Sequence, residues 1–223
     1  VTVQAQIMEL LTDINRNLTM AILFITHDLG LVAQHCNDVH IMKYGHILES
    51  GPTVTIFKSP SHSYTQTLLN AIPNPDPSTN SSNKLHATPN NNPLLSIQQL
   101  GIQFDSNADT TTAVREVSLA IHSGDFVGLI GESGSGKSVT ALSILGLLPS
   151  NAQLSGDIYW NGTNLRANAR QFKRIRGPQI GMIFQNPMMA FNSKLSIGAH
   201  FVEAIQLHQS VTRHDAETMA IHA

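Results

Sequence analysis

Gly131-Glu132-Ser133-Gly134-Ser135-Gly136-Lys137-Ser138 is the stretch on which the reading of this sequence turns. It satisfies the pattern G-x-x-x-x-G-K-[ST] at every defined position, and each residue type has a physical reason to be there. Glycines let the backbone wrap closely around phosphate oxygens where side chains would collide. The amides of such a loop, joined by those of a helix opening at Gly136, present partial positive charge to an anion. Lys137 is placed to reach β- and γ-phosphates, the Ser138 hydroxyl to ligate Mg²⁺, and Val139 follows as the last residue of the binding set. From average residue usage, a Gly-Ser turn meets the whole pattern by chance in about 1% of chains this long. The setting lowers that further: an apolar strand over 126–130 enters the loop and a periodic helix over 139–147 leaves it.

Working outward, residues 125–130 read as a strand and 136–147 as a helix that stops before Pro149. Residues 94–104 and 113–121 are extended, with 107–112 the turn between them. Residues 157–160 and 179–184 read as further strands, and 196–207 and 212–222 as helices. On the other side, residues 73–93 are dense in Pro, Asn and Ser and read as a flexible linker. Before it, Val3, Ile7, Leu10, Leu11, Ile14 and Leu18 recur at helical spacing. Residues 20–25 suit a buried strand leading into Thr26-His27-Asp28, where Asp28 can cap a helix over 29–35. Residues 39–42 form another strand, Tyr44-Gly45-His46 a tight turn into 47–49, and a helical tail with Tyr64, Leu68 and Leu69 ends at Pro73.

Composition narrows the class. The 223 residues are 41% hydrophobic and 13% charged, with 13 Lys+Arg against 15 Asp+Glu, so the net charge is −2 and no basic stripe invites nucleic acid. Cys36 is the single cysteine, which excludes an internal disulfide framework and fits a reducing compartment. The densest apolar run, over 20–25, is far short of the roughly 20 residues that cross a bilayer. Work at a membrane would therefore need other subunits. His35, His40, His46 and His62 show no metal-ligand spacing.

The flanks of the loop resemble the ATPase domains of ABC transporters. Gly124-Asp125-Phe126-Val127-Gly128-Leu129-Ile130 with the loop looks like the start of such a domain, as do Ser155-Gly156-Asp157-Ile158 and Asn161-Gly162. Ile183-Phe184-Gln185-Asn186-Pro187 resembles the family's Q-loop, so by resemblance Gln185 contacts Mg²⁺ and the attacking water. Phe104 aligns with the aromatic that stacks on adenine. Ile25-Thr26-His27-Asp28-Leu29 is similar to the switch motif, whose histidine meets the γ-phosphate, and residues 1–7 look like the segment after the D-loop. Ser59-Pro60-Ser61-His62-Ser63-Tyr64-Thr65 with Leu68-Leu69 and Ala71-Ile72-Pro73 resembles the tail of dipeptide, oligopeptide and nickel importer ATPases. Pro187-Met188-Met189-Ala190-Phe191-Asn192 resembles the region after their Q-loop, although Ser63 and Ser193 stand where that family often has proline.

The resemblance implies an α/β P-loop NTPase (ABC ATPase) core present as two incomplete half-domains joined by a flexible linker. Residues 1–72 would be the C-terminal part of a first ATPase domain, 73–93 the linker, and 94–223 the N-terminal part of a second, an internal piece of a fused two-domain protein of the oligopeptide, microcin C or glutathione importer type. No Leu-Ser-Gly-Gly occurs and no apolar run ends in Asp-Glu. ATP and Mg²⁺ would be the ligands, and His27 and Gln185 the catalytic residues. Permease subunits, a solute-binding protein and a paired ATPase domain would be the partners, with no nucleic acid. The expected place is the cytoplasmic face of a bacterial inner membrane. A soluble non-transport ABC ATPase and a non-catalytic nucleotide-binding remnant remain open alternatives. Also open is whether the halves fold separately or complement one another like a permuted domain, which would bring His27 near Lys137.

Overall fold

The computed structural model describes residues 3–71, 92–105, 110–167, 169–185, 191–192 and 194–222. Nearly all of the expected linker, part of the 107–112 turn, and Asn186-Pro187 with the three residues after them lie outside the described residues. Two compact units are present, Val1–Ala169 and Arg170–Ala223.

In the first unit the periodic opening forms α1 (Val3–Leu18) and the apolar run forms β1 (Ile22–Thr26). Asp28 then caps α2 (Leu29–His35), its Oδ1 accepting from the amides of Gly30 at 2.9 Å and Leu31 at 3.2 Å. There follow β2 (Asp38–Lys43), β3 (His46–Pro52), α3 (Thr53–Lys58) and α4 (Ser63–Asn70). Past the linker come β4 (Leu95–Asp105), β5 (Thr110–Ile121), β6 (Phe126–Ile130), α5 (Lys137–Ile144), β7 (Ala152–Trp160) and the short β8 (Thr163–Asn164). The expected strand over 157–160 is the end of the longer β7, and the loop's helix stops at Ile144, before the expected 147.

These strands form two sheets. One is antiparallel with order β5-β4-β7-β8. The other has order β1-β6-β2-β3, in which β1, β6 and β2 run parallel and β3 returns antiparallel to β2. Strands from both sides of residues 73–93 thus share one sheet, with β6 between two strands that precede it by more than eighty residues. All five β6 residues are buried, as a strand with neighbours on both edges and covered faces requires. The core beneath mixes Met8, Leu29, Val32, Val39, Ile41, Ile56 and Leu69 with Phe126 and Ile130. Phe24 meets Phe126 edge-on at 6.2 Å. Polar contacts tie the same seam: the Phe126 amide donates to Asn37 Oδ1 at 3.1 Å, the Asn37 amide to the Phe126 carbonyl at 2.8 Å, and Asn15 Nδ2 to the Gly124 carbonyl at 3.1 Å.

The second unit holds α6 (Ala169–Ile175), α7 (Ile197–His208) and α8 (Arg213–His222), with Ser196 Oγ capping α7 through the Ala199 amide. The strand expected over 179–184 is not formed. Ile180 makes an isolated bridge to Arg176, and the backbone beyond it is irregular. A strand exists only through its ladder, and among the described residues of this unit no strand offers one. Ile183 is left 78% exposed.

Two consequences of the first unit are measurable. A Cβ at Gly128 would stand 2.9 Å from Val32 Cγ1 and 3.3 Å from Cys36 Sγ, because α2 lies directly on β6 there. Gly128→Ala is expected to destabilise the chain by about 1–3 kcal/mol in denaturant titration. The Cys36 thiol, pushed up to about 12 by burial and by the charge of Asp38, should resist thiol reagents in the native chain and react faster in the variant. An unchanged midpoint with unchanged protection would show that α2 does not sit on β6. The second concerns Glu49, whose Oε1 accepts from the Ser61 amide and hydroxyl, both at 2.7 Å, and whose Oε2 accepts from the His62 amide at 3.2 Å. The Thr65 hydroxyl is buried close by without completing a hydrogen bond. Burial alone would raise this carboxyl, but the donors around it hold it down at about 2. A depressed carboxyl contributes stability above its ordinary value of 4.5, and that contribution fades as pH falls towards 2. The stability gap between wild type and Glu49→Gln should therefore narrow steadily over that range in acid titrations followed by circular dichroism.

Candidate functional site: the phosphate loop and its back wall

The loop follows β6 without a break and is squeezed from behind. A Cβ at Gly131 would collide with the Met42 carbonyl oxygen and stand 2.7 Å from Ser135 Oγ. Gly136 has φ +100°, and a Cβ there would lie 2.6 Å from the Ala113 carbonyl and 3.0 Å from Met42 Cε. Only glycine fits at either position. Gly134 also has positive φ, +78°, but no heavy atom lies within 4 Å of where its Cβ would be, so this side of the loop opens outward. Exposure follows the same division. Glu132, Ser133, Gly134 and Ser138 are exposed, Gly131, Ser135 and Gly136 are buried, and Lys137 and Val139 are half-buried.

The back wall comes from the turn after β2. The Gly45 amide donates to the Ser135 carbonyl at 3.1 Å, and the Gly45 carbonyl accepts from the Arg115 amide at 2.8 Å. Within α5 the buried Thr140 hydroxyl donates to the Gly136 carbonyl at 2.9 Å, and the buried Ser143 hydroxyl to the Thr140 carbonyl at 2.6 Å. The first turn of the helix is thereby fixed where its amides meet the loop.

Lys137 Nζ donates to the Gly131 carbonyl at 2.8 Å, the Glu132 carbonyl at 2.7 Å and Ser135 Oγ at 3.2 Å. Burial lowers this ammonium from its ordinary value, while the Glu132 carboxylate pulls the other way. The ammonium is thus centred on the loop's own oxygens, where it can exchange them for phosphate oxygens with little movement. A cradle of glycines, a helix N-terminus, one lysine and an exposed serine hydroxyl fits a nucleotide polyphosphate with Mg²⁺.

His27 comes to the same edge by register. Thr26 of β1 pairs with Ile130 of β6, so His27 and Gly131 are the next residues at the carboxyl ends of adjacent parallel strands. That edge is where open α/β sheets bind ligands. His27 is exposed, and the residues beside it are fixed: the Asp28 amide donates to Thr26 Oγ1 at 2.9 Å. β1, which leads into His27, and β6, which leads into the loop, belong to one sheet. Phe104 lies near the end of β4, opposite Thr111 and Ala152, and is half-buried. Gln185 is exposed at a bend within the Arg170–Ala223 unit.

The other histidines do structural work where contacts are seen. His62 Nδ1 accepts the Tyr64 amide at 3.1 Å to cap α4, and His35 Nδ1 lies 3.2 Å from Thr12 Oγ1. Burial lowers His40. Among the described residues no group of His, Cys, Asp and Glu is arranged to hold a metal ion by itself. What the sequence did not disclose is how far residues 42–45 and Tyr64 reach the loop. Gly45 reads there as a turn glycine, and only the sheet order turns it toward Ser135, while Tyr64 reads as an apolar helix residue.

Comparison with known proteins agrees with these features. Residues 114–222 match the ABC transporter family, and residues 48–106 match the oligopeptide/dipeptide transporter C-terminal region. The uncharacterized ABC transporter ATP-binding protein YejF of Escherichia coli K12 is 34% identical, over 99% of this chain and 42% of its own length. The glutathione import ATP-binding protein GsiA of Pectobacterium atrosepticum is 32% identical over 97% of this chain and 38% of its own length. The oligopeptide transport ATP-binding protein OppD of Mycobacterium bovis is 42% identical over 52% of this chain and 19% of its own length. The chain therefore spans about two fifths of the length of the first two of these relatives. Matched over 114–222 by the ABC transporter family and along almost its whole length by ATP-binding proteins of that family, the chain belongs to the ABC transporter family.

Proposed function

We propose that this chain is part of the ATP-binding subunit of an ABC importer, which couples ATP binding and hydrolysis to uptake of peptides or similar small solutes across a membrane. The observation that carries the reading is the loop itself: glycines pressed against β2 and β5 behind, open in front, with Lys137 centred on its oxygens. The order of the matched regions supports a tail-then-head organisation, because a transporter C-terminal region precedes the start of an ABC domain. In that reading residues 1–72 end a first ATPase domain, 73–93 link, and 94–223 begin a second. Permease subunits, a solute-binding protein and a paired ATPase domain are its partners, at the cytoplasmic face of a bacterial inner membrane. Among the described residues no helix is long and apolar enough to cross a membrane.

The chain's own residues would divide the work as follows. Loop amides and the α5 N-terminus bind the phosphates, and Lys137 gives up its loop oxygens to neutralise charge on them. Ser138 and, by the family resemblance, Gln185 would hold Mg²⁺, which would supply charge neutralisation for the phosphates. His27 meets the terminal phosphate from the neighbouring strand end, and Phe104 stacks on the base. No Leu-Ser-Gly-Gly and no apolar run ending in Asp-Glu occurs in this sequence, so two parts of the usual electrostatic clamp are not supplied by it. Losing part of such a clamp costs orders of magnitude in rate.

Fluorescent ATP with Mg²⁺ should bind the chain at equilibrium, and Lys137→Ala should weaken binding about 10- to 100-fold, as expected for a charged contact of ~1.5–3 kcal/mol. Equal binding by both forms would place the nucleotide elsewhere. Turnover of bound ATP by this chain should fall orders of magnitude below that of a complete ABC ATPase pair. A single-turnover assay giving comparable rates would overturn the division of labour above.

A further inference from the structure

A buried hydroxyl beside the loop leads beyond this reading. Tyr64, on α4 of the transporter-tail region, is 8% exposed, and its hydroxyl is buried without a hydrogen-bond partner. Such groups are rare because an unpaired donor forfeits its hydration, so the position calls for a physical reason. The Lys43 ammonium stands 4.0 Å from the centroid of the Tyr64 ring and 5.1 Å from that of Tyr44. Lys43 ends β2, whose Ile41 pairs with Ile130 and whose Met42 carbonyl faces Gly131; Lys43 and Glu132 are the next residues after these along neighbouring chain segments, without a formed ion pair. Burial raises the Tyr64 phenol first, and the charge of Glu132 raises it further. The approach of Glu132 falls short of a formed hydrogen bond, so it acts on Tyr64 as a neighbouring charge.

Glu132 is an awkward residue for a phosphate loop. Its carboxylate repels a polyphosphate and, through its pull on Lys137, competes for the cation that the phosphates need. We propose that Lys43, seated on the face of Tyr64, and the Tyr64 hydroxyl form a holding site for the Glu132 carboxylate, positioning the loop for nucleotide and making its affinity depend on the tail helix α4. Both are positioning residues, acting through Glu132. The proposal rests on the nucleotide reading of the loop.

The test is a set of double-substitution cycles on the full chain, reading MgATP affinity. Lys43→Met and Tyr64→Phe should each weaken binding about two- to fivefold, the scale of a partly exposed charge contact. Lys43→Arg should restore it, and neither loss should appear in a Glu132→Gln background. Losses of equal size in both backgrounds, or none in either, would overturn the proposal. Tyr64→Phe keeps the ring and its packing, so a folding defect does not confuse the outcome. Independently of nucleotide, the Tyr64 phenol followed by NMR should titrate lower in Glu132→Gln than in wild type, and an unchanged titration overturns the holding site. A wild-type chain that binds no MgATP while Tyr64 still answers to Glu132→Gln overturns the nucleotide reading and leaves the holding site supported.

Discussion

The ladder on either edge of β6 is the constraint from which the rest follows. Five consecutive buried residues cannot leave backbone amides and carbonyls unpaired, since each orphaned group in an apolar interior costs on the order of 1–3 kcal/mol. The partners are β1 on one side and β2 on the other, in registers that end together at Thr26, Ile41 and Ile130. Once those registers are set, the loop must emerge beside His27 and against Met42. Its glycines are then required, because the Met42 and Ala113 carbonyls already occupy the space a side chain would need. The site is a consequence of strand pairing more than of loop sequence.

This explains the uneven legibility of the chain. The loop was readable because close backbone approach and anion binding dictate residue types at fixed spacing, and α2 because Asp28 and the apolar positions of 29–35 agree. Local signals of that kind carry their own evidence. Residues 53–58 did not: Thr53-Val54-Thr55-Ile56 is rich in β-branched side chains that favour a strand, and they form α3 because Thr53 and Ile56 are buried in the first unit. Residues 179–184 erred in the other direction, since an apolar run signals a strand but cannot supply the neighbour that makes one. Of the site, residues 131–139 and His27 were legible as types, while Lys43, Gly45 and Tyr64 were not. Their part is set by a sheet order that joins residues more than eighty positions apart.

The order of segments gives the site two origins. The front of the cradle, which would face phosphate, is built after residues 73–93, and its back wall and switch-like histidine are built before them. Strands from both sides of residues 73–93 close one sheet, so the order of the segments along the chain does not prevent their packing. The seam is sealed by backbone pairing, by the Asn37 and Asn15 side chains and by the apolar layer around Val32, Cys36 and Phe126. None of these depends on the ligand, so the cradle is preformed to the extent that the seam holds.

In the tail region two linked contacts set the position of Tyr64. Glu49 fastens Ser61 and His62, and His62 in turn caps the helix that carries Tyr64. A carboxylate on β3 therefore fixes where the Tyr64 ring lies, and the Tyr64 ring fixes where the Lys43 ammonium rests. Each link is a short-range interaction with a definite geometry, and together they run from β3 through α4 to the Lys43 ammonium. On the proposal above, the Glu132 carboxylate would extend this route from the tail region to the nucleotide. The strength of that route is limited by its most exposed member, the Glu132 carboxylate, whose interactions water and salt screen more than those of the buried ring.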